Sequence, residues 1–274
     1  MLCMTLPVRN EEDILQLCLQ FHLERGVDHI IAIDNLSEDG SREILEAFAK
    51  TGQLTLLESD SENYDQPGWV KRMTEEASKL GADWVFHNDA DEFWYSETPL
   101  KEILQSIPKE TIAVSVERWN YVPVDELPWY KTHIYRDNES LNTFGKRILP
   151  KIGVKPLPQI TTRAGNHKAF IDNKQVLAPL IPEIEIFHFP IRGYTQFERK
   201  VEIGGRAYGS NPGLWQKTPI IELYRHFQSG TLRSYYEQQL ISSHENQERL
   251  KKGLIEQDLR FYNAISPFLK NCLS

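Results

Sequence analysis

The sequence has few cysteines, no long apolar run and no excess of positive charge. Its three cysteines, Cys3, Cys18 and Cys272, are odd in number and lack metal-site spacing, which suits free thiols in a reducing compartment. No apolar segment approaches the length of a membrane span. A net charge of −8 argues against a nucleic-acid partner, because proteins that bind nucleic acids carry a basic patch. We expect a cytoplasmic protein, either free or bound at the inner face of the cell membrane.

Two glycine-rich phosphate-binding motifs are also missing. No G-x-G-x-x-G follows the first predicted strand, and no G-x-x-x-x-G-K-[ST] occurs anywhere in the 274 residues. A dinucleotide-dependent dehydrogenase and a P-loop NTPase are therefore not expected. Hydrophobic residues make up 40% of the chain and charged residues 26%, which is typical of a protein that folds around a core.

The first sixty residues alternate between apolar runs and amphipathic stretches. They predict strands at 2–8, 29–34 and 54–58, a helix that begins with Asn10 as its N-cap, and a second helix from Arg42. This alternation predicts an α/β fold with a mostly parallel, mixed sheet. Residues 123–165 show little periodicity and are expected to be partly irregular. We expect one domain over 1–210 and a helical C-terminal extension, packed on it, over 211–274.

The most informative stretch is the acidic end of a predicted buried strand, Trp84–Phe86. It continues as His87-Asn88-Asp89-Ala90-Asp91-Glu92-Phe93. In an extended chain Asp89 and Asp91 point to the same side, and close carboxylates repel each other. A hard divalent cation with oxygen ligands, Mg²⁺ or Mn²⁺, relieves that repulsion. An acidic turn without a metal is the alternative, and it is the commoner one for an isolated Asp-x-Asp.

Polar residues follow three of the predicted strands. Pro7-Val8-Arg9-Asn10 ends the first strand, Asp34-Asn35 ends the second, and Asp89-Ala90-Asp91 ends the acidic one. Ligands of parallel α/β sheets bind beyond the carboxyl ends of the strands. The coincidence of three such clusters predicts a ligand site at one edge of the sheet.

Three segments together resemble family 2-type glycosyltransferases of the GT-A fold, a three-layer α/β/α architecture. They are Thr5–Glu11, Ile33–Ser41 and Asn88–Phe93, and the last carries a D-x-D-E-F motif similar to that of a bacterial branch and of the family 92 enzymes. The resemblance implies a hexosyltransferase-type enzyme that moves a sugar, usually with inversion, from a nucleotide-sugar donor to an acceptor. A UDP-sugar donor, a glycan or lipid-linked acceptor, an Mn²⁺ or Mg²⁺ cofactor and a role in polysaccharide assembly are the corresponding expectations.

The resemblance also assigns roles to individual residues. It implies that Asp34 contacts the base or ribose and that Lys71 and Arg72 lie near the donor diphosphate. The implied donor-binding residues are Pro7, Arg9, Asn10, Glu11, Asp34, Lys71, Arg72 and Asp89. The implied metal ligands are Asp89, Asp91 and His188, with His167 as a rival of His188.

The catalytic base is not identified by the resemblance, because no Glu-Asp pair follows Glu92 in this sequence. Glu117, Glu126 and Asp172 are the candidates. Glu117 is preferred, since it lies on a predicted alternating strand beside Trp119, and aromatic side chains make good sugar platforms.

Plainer interpretations remain open at several positions. Asp34 after a buried strand is also suited to cap a turn through Ser37, and His188 between two phenylalanines is also suited to a core position. A nucleotidyltransferase acting on a sugar phosphate and a non-catalytic scaffold that binds sugar nucleotides are the alternative functions.

Overall fold

The computed structural model describes residues 1–59, 65–125, 127–163, 165–209 and 219–269. Within these ranges the chain forms two compact units. The first comprises Met1–Arg118, Leu149–Ile186 and residues 268–269, and the second comprises Trp119–Ile148 and Phe187–Pro267. The expected domain boundary at residues 210 and 211 lies outside the described residues, so that division stays a prediction.

Helices and strands alternate over the first part of the chain. The elements up to residue 122 are β1 (Leu2–Val8), α1 (Leu15–Glu24), β2 (His29–Asp34), α2 (Ser41–Lys50), β3 (Leu54–Glu58), α3 (Gln66–Lys79), β4 (Trp84–His87), β5 (Glu92–Tyr95), α4 (Leu100–Ser106) and β6 (Ala113–Val122). The elements that follow are α5 (Trp129–Thr132), β7 (Tyr135–Asp137), β8 (Lys151–Val154), β9 (Ile160–Thr162), β10 (Ala169–Ile171), β11 (Lys174–Gln175), β12 (Leu180–His188), α6 (Tyr194–Gly209), α7 (Pro219–Gln228), α8 (Leu232–Gln239), α9 (His244–Lys251), β13 (Ile255–Gln257) and α10 (Arg260–Ile265).

The main sheet of the first unit has a parallel core. Strands β3, β2, β1 and β4 lie side by side in that order, and all three pairings are parallel. Strand β8 then pairs antiparallel with β4, and residues 113–116 of β6 pair antiparallel with β8. The predicted GT-A-type α/β fold with a mostly parallel, mixed sheet is confirmed, with antiparallel strands on the β4 side.

Apolar residues cover both faces of this sheet. Residues Ile30–Ile33 of β2 are fully buried, as expected for a central parallel strand. On one face, Met73 of α3 belongs to a core cluster with Cys3 and Val85. On the other face, the rings of Phe21 in α1 and Phe93 in β5 meet edge to face, with centroids 5.2 Å apart. The parallel strands are therefore held between two helical layers.

The first helix begins later than the sequence suggests. Helix α1 starts at Leu15, and its N-cap residue, Ile14, makes no side-chain capping bond. Asn10, the predicted N-cap, instead adopts a left-handed conformation with φ +54° and accepts a hydrogen bond from the Glu38 backbone N–H. The prediction was wrong because the amide of Asn10 is used to join two loops.

The second unit contains the helices of the C-terminal region. Residues 121–122 of β6 pair with β7, and β7 pairs with β13. Helices α6 and α8 share a buried cluster that includes Phe197, Val201, Leu232 and Tyr236. The expected helical character of this region is confirmed, although the short strand β13 interrupts it. No helix in the described ranges is both long enough and apolar enough to span a membrane.

Candidate active site

The three polar clusters of the sequence lie at the carboxyl ends of neighbouring strands. Val8 at the end of β1 pairs with Asp34 at the end of β2. On the other side of β1, Thr5 pairs with His87, the last residue of β4. Because β1, β2 and β4 are parallel, the residues that follow them reach the same edge of the sheet.

Hydrogen bonds join the loops that follow β1 and β2. The Asn10 backbone N–H donates to Ser37 Oγ at 3.0 Å, and the Glu38 N–H donates to Asn10 Oδ1 at 2.7 Å. The Glu11 N–H donates to Ser41 Oγ at 2.8 Å. These cross-loop bonds fix the backbone of the predicted donor-binding segment before any ligand is present.

Asp34 is almost fully buried and has protein partners. Its Oδ1 accepts a hydrogen bond from the Ser37 N–H at 3.3 Å, and its Oδ2 lies 4.0 Å from Arg42 Nη1. The turn-capping role that the sequence left open is therefore present. The role of Asp34 in reading the nucleotide stays a prediction.

Polar atoms beside Asp34 lack partners. Arg9 Nε, Asn10 Nδ2 and Asn35 Oδ1 are buried, and none has a hydrogen-bond partner among the described residues. Pro7, half-buried, precedes them in β1. Buried polar atoms normally have partners, and an unpaired one costs free energy. Two donors and one acceptor of this kind give the loop edge the capacity to bind a polar ligand.

A partly buried cluster of charges lies at the carboxyl end of β4. Lys151 Nζ lies 2.5 Å from Asp89 Oδ2 and 3.3 Å from Glu92 Oε2, and the Lys151 side chain is fully buried. Arg118 Nη1 donates to the other Glu92 oxygen, Oε1, at 2.6 Å. Two cations thus neutralise two of the three carboxylates of the acidic stretch.

These contacts shift the carboxyl pKa values in opposite directions. Burial raises the pKa of Glu92, and this effect outweighs the cations Lys151 and Arg118. Burial also acts to raise the pKa of Asp89, but the charge and hydrogen bond of Lys151 bring it below its usual value. Asp89 is therefore ionised near neutral pH, as an ion-pair or metal-binding role requires.

The three carboxylates have the donor chemistry of a hard divalent cation site. Asp89, however, has protein partners on both oxygens, because Gln66 Nε2 lies 3.5 Å from its Oδ1 and Lys151 contacts its Oδ2. A cation at Asp89 competes with Lys151. The neighbouring Asp91 is only 3% exposed, and its carboxylate oxygens have the same donor chemistry.

His188 and His167 differ in their surroundings. His188, in the second unit, is half-buried, and its Nδ1 lies 2.7 Å from Asn120 Oδ1. If Nδ1 carries the proton, Nε2 presents its lone pair, which is the usual state of a metal-binding histidine. His167, in the first unit, has Nδ1 2.8 Å from the Pro150 carbonyl. Both rings therefore have one oriented nitrogen.

Lys71 and Arg72, the predicted diphosphate contacts, make other contacts. Both are exposed on α3; Lys71 Nζ lies 3.7 Å from Glu75, and Arg72 donates to the Glu58 carbonyl at 3.0 Å. The lysine that contacts Asp89 is Lys151, which the sequence analysis missed. Its position in a short strand within an aperiodic region gave no local indication of a role.

The candidate bases are in different settings. By strand alternation, Glu117 points to the face opposite Arg118, which contacts Glu92. Asp172 is exposed in the turn between β10 and β11 and has φ +49°. Glu126 lies outside the described residues. The choice of base stays a prediction.

Comparisons with solved structures give distant similarities. The chain has 10% identity to TarS from S. aureus in complex with UDP-GlcNAc, with a TM-score of 0.49, and the match covers 91% of this chain and 75% of TarS residues 1–349. For GalNAc-T7 with UDP, GalNAc and Mn²⁺, the identity is 12% and the TM-score 0.41, and the match covers 86% of this chain and 56% of the GalNAc-T7 chain. For Mycobacterium tuberculosis glucosyl-3-phosphoglycerate synthase with Mn²⁺, UDP and phosphoglyceric acid, the identity is 15% and the TM-score 0.35. The match covers 57% of this chain and 56% of the synthase.

The family is shown by the sequence itself. No curated protein matches the chain. The profile described as "Glycosyl transferase family 2" matches residues 3–172, which include the parallel strands, the acidic stretch and Lys151. With more than half of its residues matched, the chain belongs to glycosyl transferase family 2.

Proposed function

We propose that this protein is a metal-dependent, inverting glycosyltransferase of the hexosyltransferase type. Its donor is a nucleoside-diphosphate sugar, first of all a UDP-sugar, and its acceptor is a glycan or lipid-linked molecule in polysaccharide assembly. It belongs in this proposal to the D-x-D-E-F branch and works in the cytoplasm, free or at the inner membrane face. The observation that carries the proposal is the carboxylate cluster that follows β4, at the same sheet edge as the polar atoms after β1 and β2 that have no partner among the described residues.

The donor nucleotide occupies the edge formed by the β1 and β2 loops. Its polar groups pair with Arg9, Asn10 and Asn35, whose buried atoms otherwise have no partner among the described residues. Asp34, held at the end of β2, contacts the base or ribose. Pro7 and Glu11 shape the same loop, and Lys71 and Arg72 supply positive charge from the exposed side of α3.

The leaving diphosphate gains negative charge as the glycosidic bond breaks, and the sugar gains positive charge. A divalent cation, when bound, would offset the charge on the leaving group. Asp91 and His188 are its ligands in this proposal, and Asp89 is a further one. Lys151 and Arg118 hold Asp89 and Glu92 in place, so that the carboxylates do not repel one another apart.

The acceptor hydroxyl must lose its proton as it attacks the anomeric carbon. In an inverting reaction this base lies on the side of the sugar opposite the diphosphate. Glu117 is the proposed base, because it is half-buried on β6 beside Trp119, and an aromatic side chain makes a good sugar platform.

Calorimetry with nucleoside diphosphates tests this function. UDP, GDP, dTDP and CDP are titrated into the wild type with Mn²⁺ and with chelator, and then into Asp91→Ala and the control Lys79→Met on the exposed side of α3. We expect one diphosphate to bind only with metal, and Asp91→Ala to lose that binding. Metal-dependent binding that is unchanged in Asp91→Ala would exclude Asp91 as the metal ligand. Release of pyrophosphate from a nucleoside triphosphate would instead support a nucleotidyltransferase, and no binding of any nucleotide a non-catalytic scaffold.

A further inference from the structure

A pocket lies on the connection between β9 and β10. It has a volume of about 160 Å³ and five lining residues: Arg163, His167, Lys168, Phe170 and Gln175. None of the five is acidic, although the whole chain carries a net charge of −8. A pocket lined by two cations in an acidic protein favours an anionic ligand.

The two cations of this pocket are available to a ligand. Arg163 stacks on the ring of Phe170, with its guanidinium carbon 4.1 Å from the ring centroid. This contact holds the guanidinium in place while leaving its N–H groups free to donate. Neither Arg163 nor Lys168 has a carboxylate partner in the part of the chain that the structure describes. An arginine fixed by stacking is well suited to bind a phosphate.

The pocket also offers a hydrogen-bond acceptor. His167 Nδ1 lies 2.8 Å from the Pro150 carbonyl oxygen and donates to it. Its Nε2 therefore accepts a hydrogen bond, as from a hydroxyl group. Gln175, which pairs with Phe170 between β10 and β11, adds an amide to the lining.

Two contacts tie the pocket to the candidate active site. The Gly165 N–H donates to Gln66 Oε1 at 2.8 Å, and the Nε2 of the same Gln66 lies 3.5 Å from Asp89 Oδ1. The Pro150 carbonyl that accepts from His167 immediately precedes Lys151, the partner of Asp89. The segment that carries the pocket is thus joined to Asp89 through Gln66 and through the Pro150–Lys151 backbone.

We propose that this pocket is an acceptor subsite for a hydroxylated phosphate ester, with the phosphate on Arg163 and Lys168 and a hydroxyl on His167 Nε2. This inference rests on the proposed glycosyltransferase function and narrows its acceptor to a phosphate-bearing molecule. The donor diphosphate carries the same chemistry, and the experiment separates the two sources.

Calorimetry with glycerol 3-phosphate and with inorganic phosphate tests the subsite, each with and without saturating UDP and Mn²⁺. The test variant is Arg163→Met/Lys168→Met. The control is Lys79→Met/Arg206→Met, which removes two exposed cations from outside the pocket. We expect the test variant to weaken glycerol 3-phosphate binding about tenfold or more, because charge-assisted bonds are lost. The control variant should bind glycerol 3-phosphate as the wild type does, and both double variants should bind UDP as the wild type does. Thermal melting should show that both double variants are folded.

The outcomes distinguish this inference from the function on which it rests. The proposed subsite would be excluded if the wild type did not bind glycerol 3-phosphate, or if the test variant bound it as tightly as the wild type. Competition between UDP and glycerol 3-phosphate, with weaker UDP binding in the test variant, would assign the pocket to the donor and overturn the acceptor role. The wild type and both double variants could also fail to bind UDP while the wild type still binds glycerol 3-phosphate through Arg163 and Lys168. That result would support a phosphate-ester site in this pocket and contradict the glycosyltransferase function.

Discussion

Lys151 and Asp89 form an ion pair with 2.5 Å between Nζ and Oδ2, although 62 positions separate them in the chain. The lysine side chain is fully buried, and its second contact, with Glu92, is also buried. A buried lysine is rare unless it is paired. This one lies at the acidic stretch that follows β4, and it neutralises part of the negative charge there.

Removal of this lysine should make folding depend on a divalent cation. Lys151→Met leaves Asp89 and Glu92 without one of their counter-charges, and breaking a buried pair in this way costs about 3–5 kcal/mol. We expect urea unfolding to show such a loss, and Mn²⁺ to restore more stability in Lys151→Met than in the wild type.

A matched variant separates charge from packing. In Lys151→Met/Glu92→Gln the uncompensated carboxylate at position 92 is gone, so we expect part of the lost stability to return without metal. Equal stabilisation of wild type and Lys151→Met by Mn²⁺ would show that Lys151 and the cation do not act on the same carboxylates.

Acid should destabilise the protein through His22. This fully buried ring lies 2.8 Å from the Cys18 carbonyl through Nδ1 and accepts from the Trp94 N–H through Nε2 at 3.1 Å. Burial lowers its pKa to about 4 from the usual 6.5. Between these values the unfolded chain binds a proton that the folded one does not. Stability is therefore lost as pH falls from about 6.5 towards 4, by up to about 3 kcal/mol for this ring.

Urea unfolding at several pH values measures this loss. The slope of the unfolding free energy against pH reports how many protons the chain takes up on unfolding. In that pH window His22→Gln should lower this number by up to one. His244→Gln, which removes an exposed histidine, is the control. The assignment fails if both variants change the slope equally.

Glu117 should affect turnover and leave donor binding intact. If Glu117 is the base, Glu117→Gln lowers kcat by about 10²–10⁴-fold, because the acceptor proton has no recipient. Binding of the donor diphosphate, measured by calorimetry, should stay the same. Asp172→Asn is the parallel variant. If Glu117→Gln kept the wild-type kcat and Asp172→Asn lowered it, the role of catalytic base would be assigned to Asp172 in the β10–β11 turn.

Two adjacent glycines of α6 should respond differently to alanine. A Cβ at Gly205 would lie 2.1 Å from ring atoms of Tyr224 in α7, whereas at Gly204 the nearest atom, 2.8 Å away, is Cγ1 of Ile220. A rigid ring yields less than a flexible chain, so Gly205→Ala should destabilise by about 1–3 kcal/mol.

Gly204→Ala is the control for helix propensity. Alanine favours a helix by about 1 kcal/mol over glycine, which offsets the smaller adjustment of Ile220. We expect its melting temperature to stay near that of the wild type. A similar loss in both variants would contradict the close packing of α6 on Tyr224.

The parallel half of the fold was readable from the sequence. Strands β1, β2 and β3 and helix α2 lie within a residue of their predicted positions, because their apolar residues repeat with the period of the element they form. The placement of Asp34, Asp89 and Asp91 at one edge of the sheet was predictable for a related reason. Parallel strands bring their carboxyl ends to one edge, so that sequence order alone predicts their meeting.

Errors arose where side chains serve distant parts of the chain. Asn10 was assigned as a helix cap, but it joins the β1 and β2 loops. Strand β8 was expected to be irregular, since four residues that begin with lysine have no amphipathic pattern. Its place between β4 and β6 depends on backbone pairing with both neighbours.

The sequence by itself determined the α/β architecture, the family and the carboxylates of the candidate site, because periodicity and short motifs are local properties. The tertiary structure alone decided which charges meet those carboxylates. Lys151, Arg118 and Gln66 come from three separate elements, and only the folded sheet brings them to Asp89 and Glu92. Coulombic contacts depend on distance in space, and chain order does not fix that distance.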